Sequence, residues 1–195
     1  MHARPLPIDT PLSRAFIHGA VDFEQTSAGL LPHRLPAWAR AQCPDAQLAM
    51  AETQPSGVRL VFQTMATAVE LLVLPTKRAY SGLAPRPDGV FDLFIDGRLA
   101  HQGSVQGGRV LHMDMASGAT RVAEGETQVL RFSGLPGDGK IVELWLPHDE
   151  VTELVALRSD AALFPVAASG KRRWVHHGSS ISQGSNTTHP SGTWP

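Results

Sequence analysis

A short run of small and polar residues near the end of the chain, residues 178–181 (Gly-Ser-Ser-Ile), has the composition of a nucleophile turn. It follows an apolar pair at residues 174–175 and leads into a polar stretch that ends at Gly184. This order predicts a serine at the junction between a strand and a following helix. Backbone N–H groups of such a turn, and the positive end of the helix, stabilise the oxyanion that forms when a serine attacks an ester carbonyl.

A serine hydroxyl is a weak nucleophile until a base from a separate element takes its proton. His176 and His177 lie on the same strand and turn as Ser180, so we expect neither of them to act as that base. His189 lies in the loop beyond the turn, where the sequence shows no obvious acidic partner for it, so we do not expect it to act as the base either. Adjacent strand histidines face opposite ways and no carboxylate cluster accompanies them. We therefore expect neither a metal nor a cofactor.

With its flanks, the run resembles the first sequence block of the GDSL/SGNH hydrolases, whose pattern is Gly-Asp-Ser-Leu at the end of the first strand. Serine and isoleucine stand here at its second and fourth positions, as in the branch of the superfamily written Gly-Ser-Ser-Ile. The lead-in at residues 174–177 and the Thr-Trp-Pro at residues 193–195 are similar to SGNH esterases and acyltransferases. In those proteins a β-sandwich precedes the hydrolase domain.

The resemblance implies a catalytic role for Ser180, as nucleophile and, through its own backbone N–H, as one oxyanion donor. Gly178 and Gly184 match the small residues that let the turn fold tightly and let substrate approach. Ser179 stands where the family has an aspartate that is not the catalytic acid. The family's other oxyanion donors and its Asp-x-x-His pair belong to later blocks. We therefore expect this chain alone to be inactive or nearly so.

The rest of the chain, which must position this turn, has the pattern of short strands separated by Gly and Pro turns. Val58, Leu60 and Phe62 alternate with other residues, the period of a half-buried strand. Residues 67–74 predict a more buried strand that ends at Pro75. Further strands are predicted at residues 15–23, 91–95, 98–105, 109–113, 128–133 and 141–146. Asp96-Gly97 predicts one hairpin, and Gly137-Asp138-Gly139 predicts a second.

These strands favour a mainly β fold, an N-terminal β-sandwich of jelly-roll type over residues 1–168. Pro36 predicts a short helix over residues 37–41, which Pro44 stops, and residues 151–157 fit either a strand or a helix. A flexible stretch near residues 165–170 marks a boundary. Residues 169–195 are then the start of an incomplete α/β SGNH domain, with its first strand at residues 173–175 and the nucleophile turn after it.

The composition predicts a cytoplasmic protein. Of the 195 residues, 42% are hydrophobic, enough for a core. The net charge of −1 gives no electrostatic reason to expect binding to nucleic acid or to an anionic membrane. No stretch approaches the ~20 apolar residues of a membrane span, and prolines interrupt residues 1–7, where a signal peptide needs an apolar core. The single cysteine, Cys43, cannot form an intrachain disulfide, and we interpret it as an inert packing thiol.

Two functions fit these observations. The first is the N-terminal part of an SGNH-type serine esterase or acyltransferase, which acts on a small-molecule ester or a glycosylated substrate through an acyl-enzyme. The alternative is a carbohydrate- or acceptor-binding β-sandwich module without catalysis, because jelly-roll domains often bind carbohydrate.

Overall fold

The computed structural model describes residues 6–166, 170, 176, 178–184 and 186–193. Within these residues β-strands dominate and form two sheets of eight and six strands. The prediction of a mainly β sandwich is therefore confirmed. None of the helices in the described residues has the length and hydrophobicity that crossing a lipid bilayer requires.

The two sheets are mostly antiparallel. In chain order, the strands are β1 (Ile8–Thr10), β2 (Ile17–His18), β3 (Asp22–Gln25), β4 (Leu30–His33), β5 (Arg59–Thr64), β6 (Ala68–Tyr80), β7 (Val90–Ile95), β8 (Arg98–Ser104), β9 (Arg109–Met113), β10 (Thr120–Ala123), β11 (Gln128–Ser133), β12 (Lys140–Trp145), β13 (Val151–Ser159) and β14 (Leu163–Pro165). The first sheet runs β10-β9-β6-β13-β4-β3, with β11 also on β6 and β1 also on β13. The second runs β14-β5-β12-β7-β8, with β2 also on β5. The pair β6–β9 is parallel.

The core lies between the two sheets and is filled from alternate positions of their strands. Val58, Leu60 and Phe62, which the sequence pattern places on one face, are all fully buried. That prediction is confirmed. Other fully buried core side chains come from four further strands: Leu71 and Val73, Phe91 and Leu93, Val142 and Leu144, and Leu154 and Leu157. Residues 151–157, which fitted either element, belong to strand β13.

The hairpin predicted at Asp96-Gly97 is confirmed. Strands β7 and β8 pair antiparallel, and Ile95 lies opposite Arg98. Asp96 and Gly97 have φ values of 48° and 77°. Two consecutive residues in this left-handed region match the twist of the flanking strands, which is why Asp-Gly is favoured there.

Strand β6 continues through Pro75, although the sequence pattern predicts its end there. On one edge Pro75 lies opposite Thr152 of β13. On the other edge, β11 pairs with β6 only as far as Val73, and β9 pairs with it from Thr76 onward. Pro75 lies between these two partner strands, where its missing N–H donor interrupts neither ladder.

The hairpin predicted at residues 137–139 is wrong, because the two strands that flank it belong to different sheets. Strand β11 pairs with β6 in the first sheet, and β12 pairs with β5 and β7 in the second. Leu130 of β11 and Leu144 of β12 both belong to the core. With one strand on each sheet, the two apolar faces pack against each other from opposite sides.

Two short helices connect β4 to β5. Helix α1 (Ala37–Gln42) begins after Pro36 and ends before Pro44, as predicted. Helix α2 (Ala46–Glu52) was not predicted. Asp45 caps it, since its Oδ1 accepts a hydrogen bond from Leu48 N–H at 2.6 Å. A capping aspartate before a run rich in alanine is the sequence signal that identifies such a helix.

The predicted first strand of the second domain, residues 173–175, lies outside the described residues. So do residues 167–169, half of the predicted boundary at residues 165–170. Strand β14 ends at Pro165, and helix α3 (Ser180–Gln183) and a 3-10 helix (Pro190–Gly192) are the elements described after it. The division into residues 1–168 and 169–195 stays a prediction.

Candidate functional site

The predicted nucleophile turn opens helix α3. Ser179 caps this helix, since its Oγ accepts a hydrogen bond from Ile181 N–H at 3.3 Å. Ser180 is exposed at the first helical position, and the Ile181 side chain beside it is 82% exposed. The helix ends at Gly184, whose N–H donates to the Ser180 carbonyl at 3.0 Å. The Ser180 hydroxyl therefore stands on a short helix at the protein surface.

Two glycines hold this turn in a tight conformation. A Cβ atom at Gly178 would lie 2.5 Å from Ser182 Cβ and 2.8 Å from His176 Nε2, distances that no real side chain adopts. Gly184 has φ of +68°, in the left-handed region that favours glycine. Both glycines are thus required by the geometry. Their role as the supporting turn of a nucleophile, with Ser179, stays a prediction, as does the role of Ser180.

Residues 178–184 and 186–193, here named the serine segment, dock on the sandwich through three buried polar side chains. The amide of Gln183 hydrogen-bonds with the amide of Gln54. The Oγ1 atom of Thr187 lies 3.2 Å from Nε2 of His148. The third anchor is Asp92, and like the other two it is buried although it is polar.

Asp92 makes the most extensive contact with the serine segment. Its Oδ2 accepts hydrogen bonds from Ser191 N–H at 2.9 Å and from Ser191 Oγ at 2.6 Å, and it lies 2.9 Å from His189 Nδ1. Its Oδ1 accepts a hydrogen bond from Gln102 Nε2 at 2.7 Å. Both oxygens of this buried carboxylate therefore have partners, which burial of a charge requires.

His189 has an acidic partner, which corrects the interpretation of the sequence. The partner is Asp92, 97 residues away along the chain. It lies in strand β7, where an outward-facing polar residue is ordinary, so no local signal links the two residues. Among the described residues, His189 makes no hydrogen bond to Ser180. The expectation that His189 does not serve as the base for Ser180 remains a prediction. His177 lies outside the described residues.

The environment sets the charge state of two anchors. Burial opposes ionisation of Asp92, but the hydrogen bonds from Ser191, Gln102 and His189 outweigh it and hold the pKa of this carboxyl below its usual value. Burial lowers the pKa of His148, against the opposing effect of Asp149. At neutral pH Asp92 is therefore ionised and His148 is neutral.

Glu150 lies two residues from the His148 anchor and is only 5% exposed. Its Oε2 accepts a hydrogen bond from Gly89 N–H at 3.2 Å. Its Oε1 is buried without a hydrogen-bond partner in the described part of the chain. Burial raises the pKa of this carboxyl to about 7, although Lys77 opposes the shift. Glu150 therefore titrates near neutral pH.

This titration predicts a fall in the free energy of unfolding as pH rises. An unfolded Glu150 releases its proton near its ordinary pKa of 4.5, whereas the folded one keeps it up to about 7. Between these values the folded state holds the extra proton, so stability is lost as pH increases. At about 1.4 kcal/mol per pKa unit, the full loss is on the order of 3 kcal/mol. Urea unfolding of the protein and of Glu150→Gln across this range measures it. Equal pH dependence in both proteins would contradict the assignment.

A separate cavity of about 320 Å³ lies between helices α1 and α2. Its lining includes Arg40, Cys43, Leu48 and Glu52, and none of its lining residues belongs to the serine segment. Cys43 is exposed there, so its interpretation as a packing thiol is wrong. The cysteine lies in the turn between the two helices, where Pro44 ends α1 and the side chain faces outward.

Comparisons with known proteins bear on the family and the fold of the chain. The sequence profile of the family "SsfX3, N-terminal domain" matches residues 15–155. The solved structure of the salicylyl-acyltransferase SsfX3 from a tetracycline biosynthetic pathway is similar, with a TM-score of 0.73 and 26% identity over 95% of this chain. A GDSL-like lipase from Bacteroides ovatus ATCC 8483 shares the fold, with a TM-score of 0.58 and 20% identity over 86% of this chain. This chain covers 49% and 45% of those two chains, about half of each. No curated protein sequence matches it.

Proposed function

Because this chain belongs to the SsfX3 N-terminal domain family, we propose that it supplies the β-sandwich and the nucleophile turn of an SGNH-type serine acyltransferase or esterase. The observation that carries the proposal is the exposed Ser180 at the start of α3, on a turn that needs glycine at position 178. The 26% identity to SsfX3 supports it further, since that match covers 95% of this chain.

In this proposal Ser180 attacks the carbonyl carbon of an ester. A base takes the Ser180 proton as the new C–O bond forms, and the Ser180 backbone N–H donates a hydrogen bond to the oxyanion. The tetrahedral intermediate collapses to an acyl-enzyme and an alcohol, which receives the proton. Water or a second alcohol then takes the acyl group and regenerates the serine. The base and its acidic partner come from later blocks, as the resemblance implies.

The proposed substrate is a small-molecule ester or a glycosylated acceptor, handled in the cytoplasm. SsfX3 is described as a salicylyl-acyltransferase. That name supports an acyl donor and a small-molecule acceptor for this protein, without specifying either. The exposed apolar side chain of Ile181 next to Ser180 is consistent with an apolar substrate group at this surface.

Two measurements test the proposal. The gene read past Pro195 should encode a Gly-x-Asn-Asp-like block and a late Asp-x-x-His pair, and a stop codon directly after Pro195 would refute an enzymatic role for this chain. In the protein with those blocks, a fluorophosphonate probe should form an adduct that mass spectrometry places on Ser180. An adduct on Ser179 or Ser182 instead, or none at all, would show that the nucleophile is assigned wrongly.

A further inference from the structure

The serine segment is hydrogen-bonded to the sandwich at two points after Ser180. Gln183, three residues after Ser180, contacts Gln54 of the sandwich. Ser191, eleven residues after Ser180, donates two hydrogen bonds to Asp92. Between these two points, the Gly184 N–H bonds to the Ser180 carbonyl, so the first turn of α3 is tied to the anchored stretch.

Asp92 is buried by the serine segment and not by the core of the sandwich. Its neighbours in strand β7, Phe91 and Leu93, point into the core. Alternation along the strand therefore directs Asp92 to the outer face of the second sheet. It is nevertheless 0% exposed, and the 3-10 helix Pro190–Gly192 contacts β7 there. The segment thus covers a carboxylate that would otherwise face solvent.

On the outer face of the second sheet, a side chain of a neighbouring strand orients the Asp92 carboxylate independently of the serine segment. The strand register aligns Gln102, Asp92, Trp145 and Arg59 in one row across four neighbouring strands. Gln102 bonds to Oδ1 of Asp92, which leaves Oδ2 for the serine segment. On the other side, the Arg59 guanidinium lies 4.5 Å from the Trp145 ring centroid. The hydrogen bond from Gln102 therefore holds the carboxylate in the orientation in which Oδ2 meets Ser191.

We propose that Asp92 is a positioning residue, which anchors the serine segment on the outer face of the second sheet and thereby sets the position of Ser180 for acyl transfer. The catalytic part of this inference rests on the proposed function, whereas the anchoring does not. The sandwich is then a structural part of the catalytic site: a residue of strand β7 determines where a serine of a later segment stands.

The chemistry of the contact explains why Asp92 should matter. Hydrogen bonds to a charged acceptor are stronger than those between neutral groups, and a buried donor that loses its acceptor is costly. Replacement of Asp92 by alanine removes the acceptor of Ser191 N–H, Ser191 Oγ and Gln102 together. An asparagine at this position keeps one side-chain oxygen, which accepts hydrogen bonds from Ser191. The NH2 group of the asparagine can donate to the side-chain oxygen of Gln102 once the Gln102 amide has rotated.

Hydrogen exchange on the chain of residues 1–195 tests the anchoring directly. In Asp92→Ala, amides bonded within the serine segment, such as those of Gly184 and Thr187, should exchange about 10- to 100-fold faster. These amides do not bond to Asp92, so faster exchange there shows that the loss of this anchor loosens the segment beyond the contact itself. Asp92→Asn should keep most of the protection.

Asp160→Ala is the matched control. The Asp160 carboxylate accepts hydrogen bonds from Thr67 N–H at 2.9 Å and Ala68 N–H at 3.1 Å, within the sandwich and without contact to the serine segment. This variant should leave exchange in the segment unchanged. If Asp92→Ala has no effect on Gly184 and Thr187, or if Asp160→Ala has the same effect, the anchoring is refuted.

Turnover in the protein with the later blocks tests the positioning. Asp92→Ala should lower kcat about ten-fold or more with little change in KM, because small displacements of a reacting group lower the rate of the chemical step. Asp92→Asn should recover most of kcat. Faster exchange with unchanged kcat would overturn the positioning role. A protein without any ester-transfer activity would refute the proposed function, while the exchange data would still decide the anchoring.

Discussion

Replacement of Ser180 by alanine should lower the turnover of an ester substrate by about 10⁴-fold or more in the protein that carries this chain together with the later SGNH blocks. The reason is chemical, since alanine cannot form the acyl-enzyme. The residual rate reflects only binding and oxyanion stabilisation. Because Ser180 is exposed at the first position of α3, its loss should leave the free energy of unfolding almost unchanged. Steady-state kinetics and urea unfolding of the same preparations measure both.

Ser182→Ala is the control for this result. It makes the same chemical change in the same short helix, two residues further along. Its kcat/KM should remain within a few-fold of that of the unmodified protein. A Ser180→Ala protein with a tenth or more of the normal turnover would refute the assignment of Ser180, as would equal losses in the two variants.

The largest expected effect on stability comes from Phe62→Ala. Phe62 lies in the middle of strand β5 and is 0% exposed. Removal of its ring loses buried apolar area and leaves a cavity between the sheets, which costs about 3 to 5 kcal/mol of unfolding free energy. A domain of this size is stable by only about 5 to 15 kcal/mol, so the variant should unfold at much lower urea concentration.

Phe164→Ala provides the comparison. Phe164 lies on the neighbouring strand β14 and is 60% exposed. The same substitution there should change the unfolding free energy by no more than about 0.5 kcal/mol. Similar losses for Phe62→Ala and Phe164→Ala, measured by urea unfolding of the chain, would contradict the position of the core between the two sheets.

Several features of the sandwich are predictable from the sequence, because the patterns that indicate them involve only neighbouring residues. Alternation at residues 58–62 and the Asp96-Gly97 turn each depend on a few neighbouring residues, and the structure contains both features. The extension of β6 through Pro75 depends on where two other strands begin and end, which no local pattern contains. The hairpin predicted at residues 137–139 is wrong for a related reason. Turn residues indicate that the chain changes direction but not which sheet the next strand joins.

The candidate site divides in the same way. The sequence motif identifies Ser180 as the candidate nucleophile. It also places a glycine at position 178, where a Cβ atom would lie too close to neighbouring atoms. The anchors Asp92 and His148 are not predictable, because each is an ordinary polar residue within or after a strand. Their importance arises only when the chain brings them beside a segment that is close to 100 residues or about 40 residues away.

The position of the serine segment after all the described strands has a consequence for the order of assembly. Strand β6 pairs with β9, β11 and β13, so the sandwich closes only when the chain has reached the end of β13 at Ser159. Pairings between strands that are far apart in the sequence form slowly. Docking of the serine segment on the folded sandwich is a later and local step. During synthesis from the N-terminus, the sheet that carries Asp92 can be complete before Ser180 leaves the ribosome. The serine segment can then dock on a sheet that is already folded.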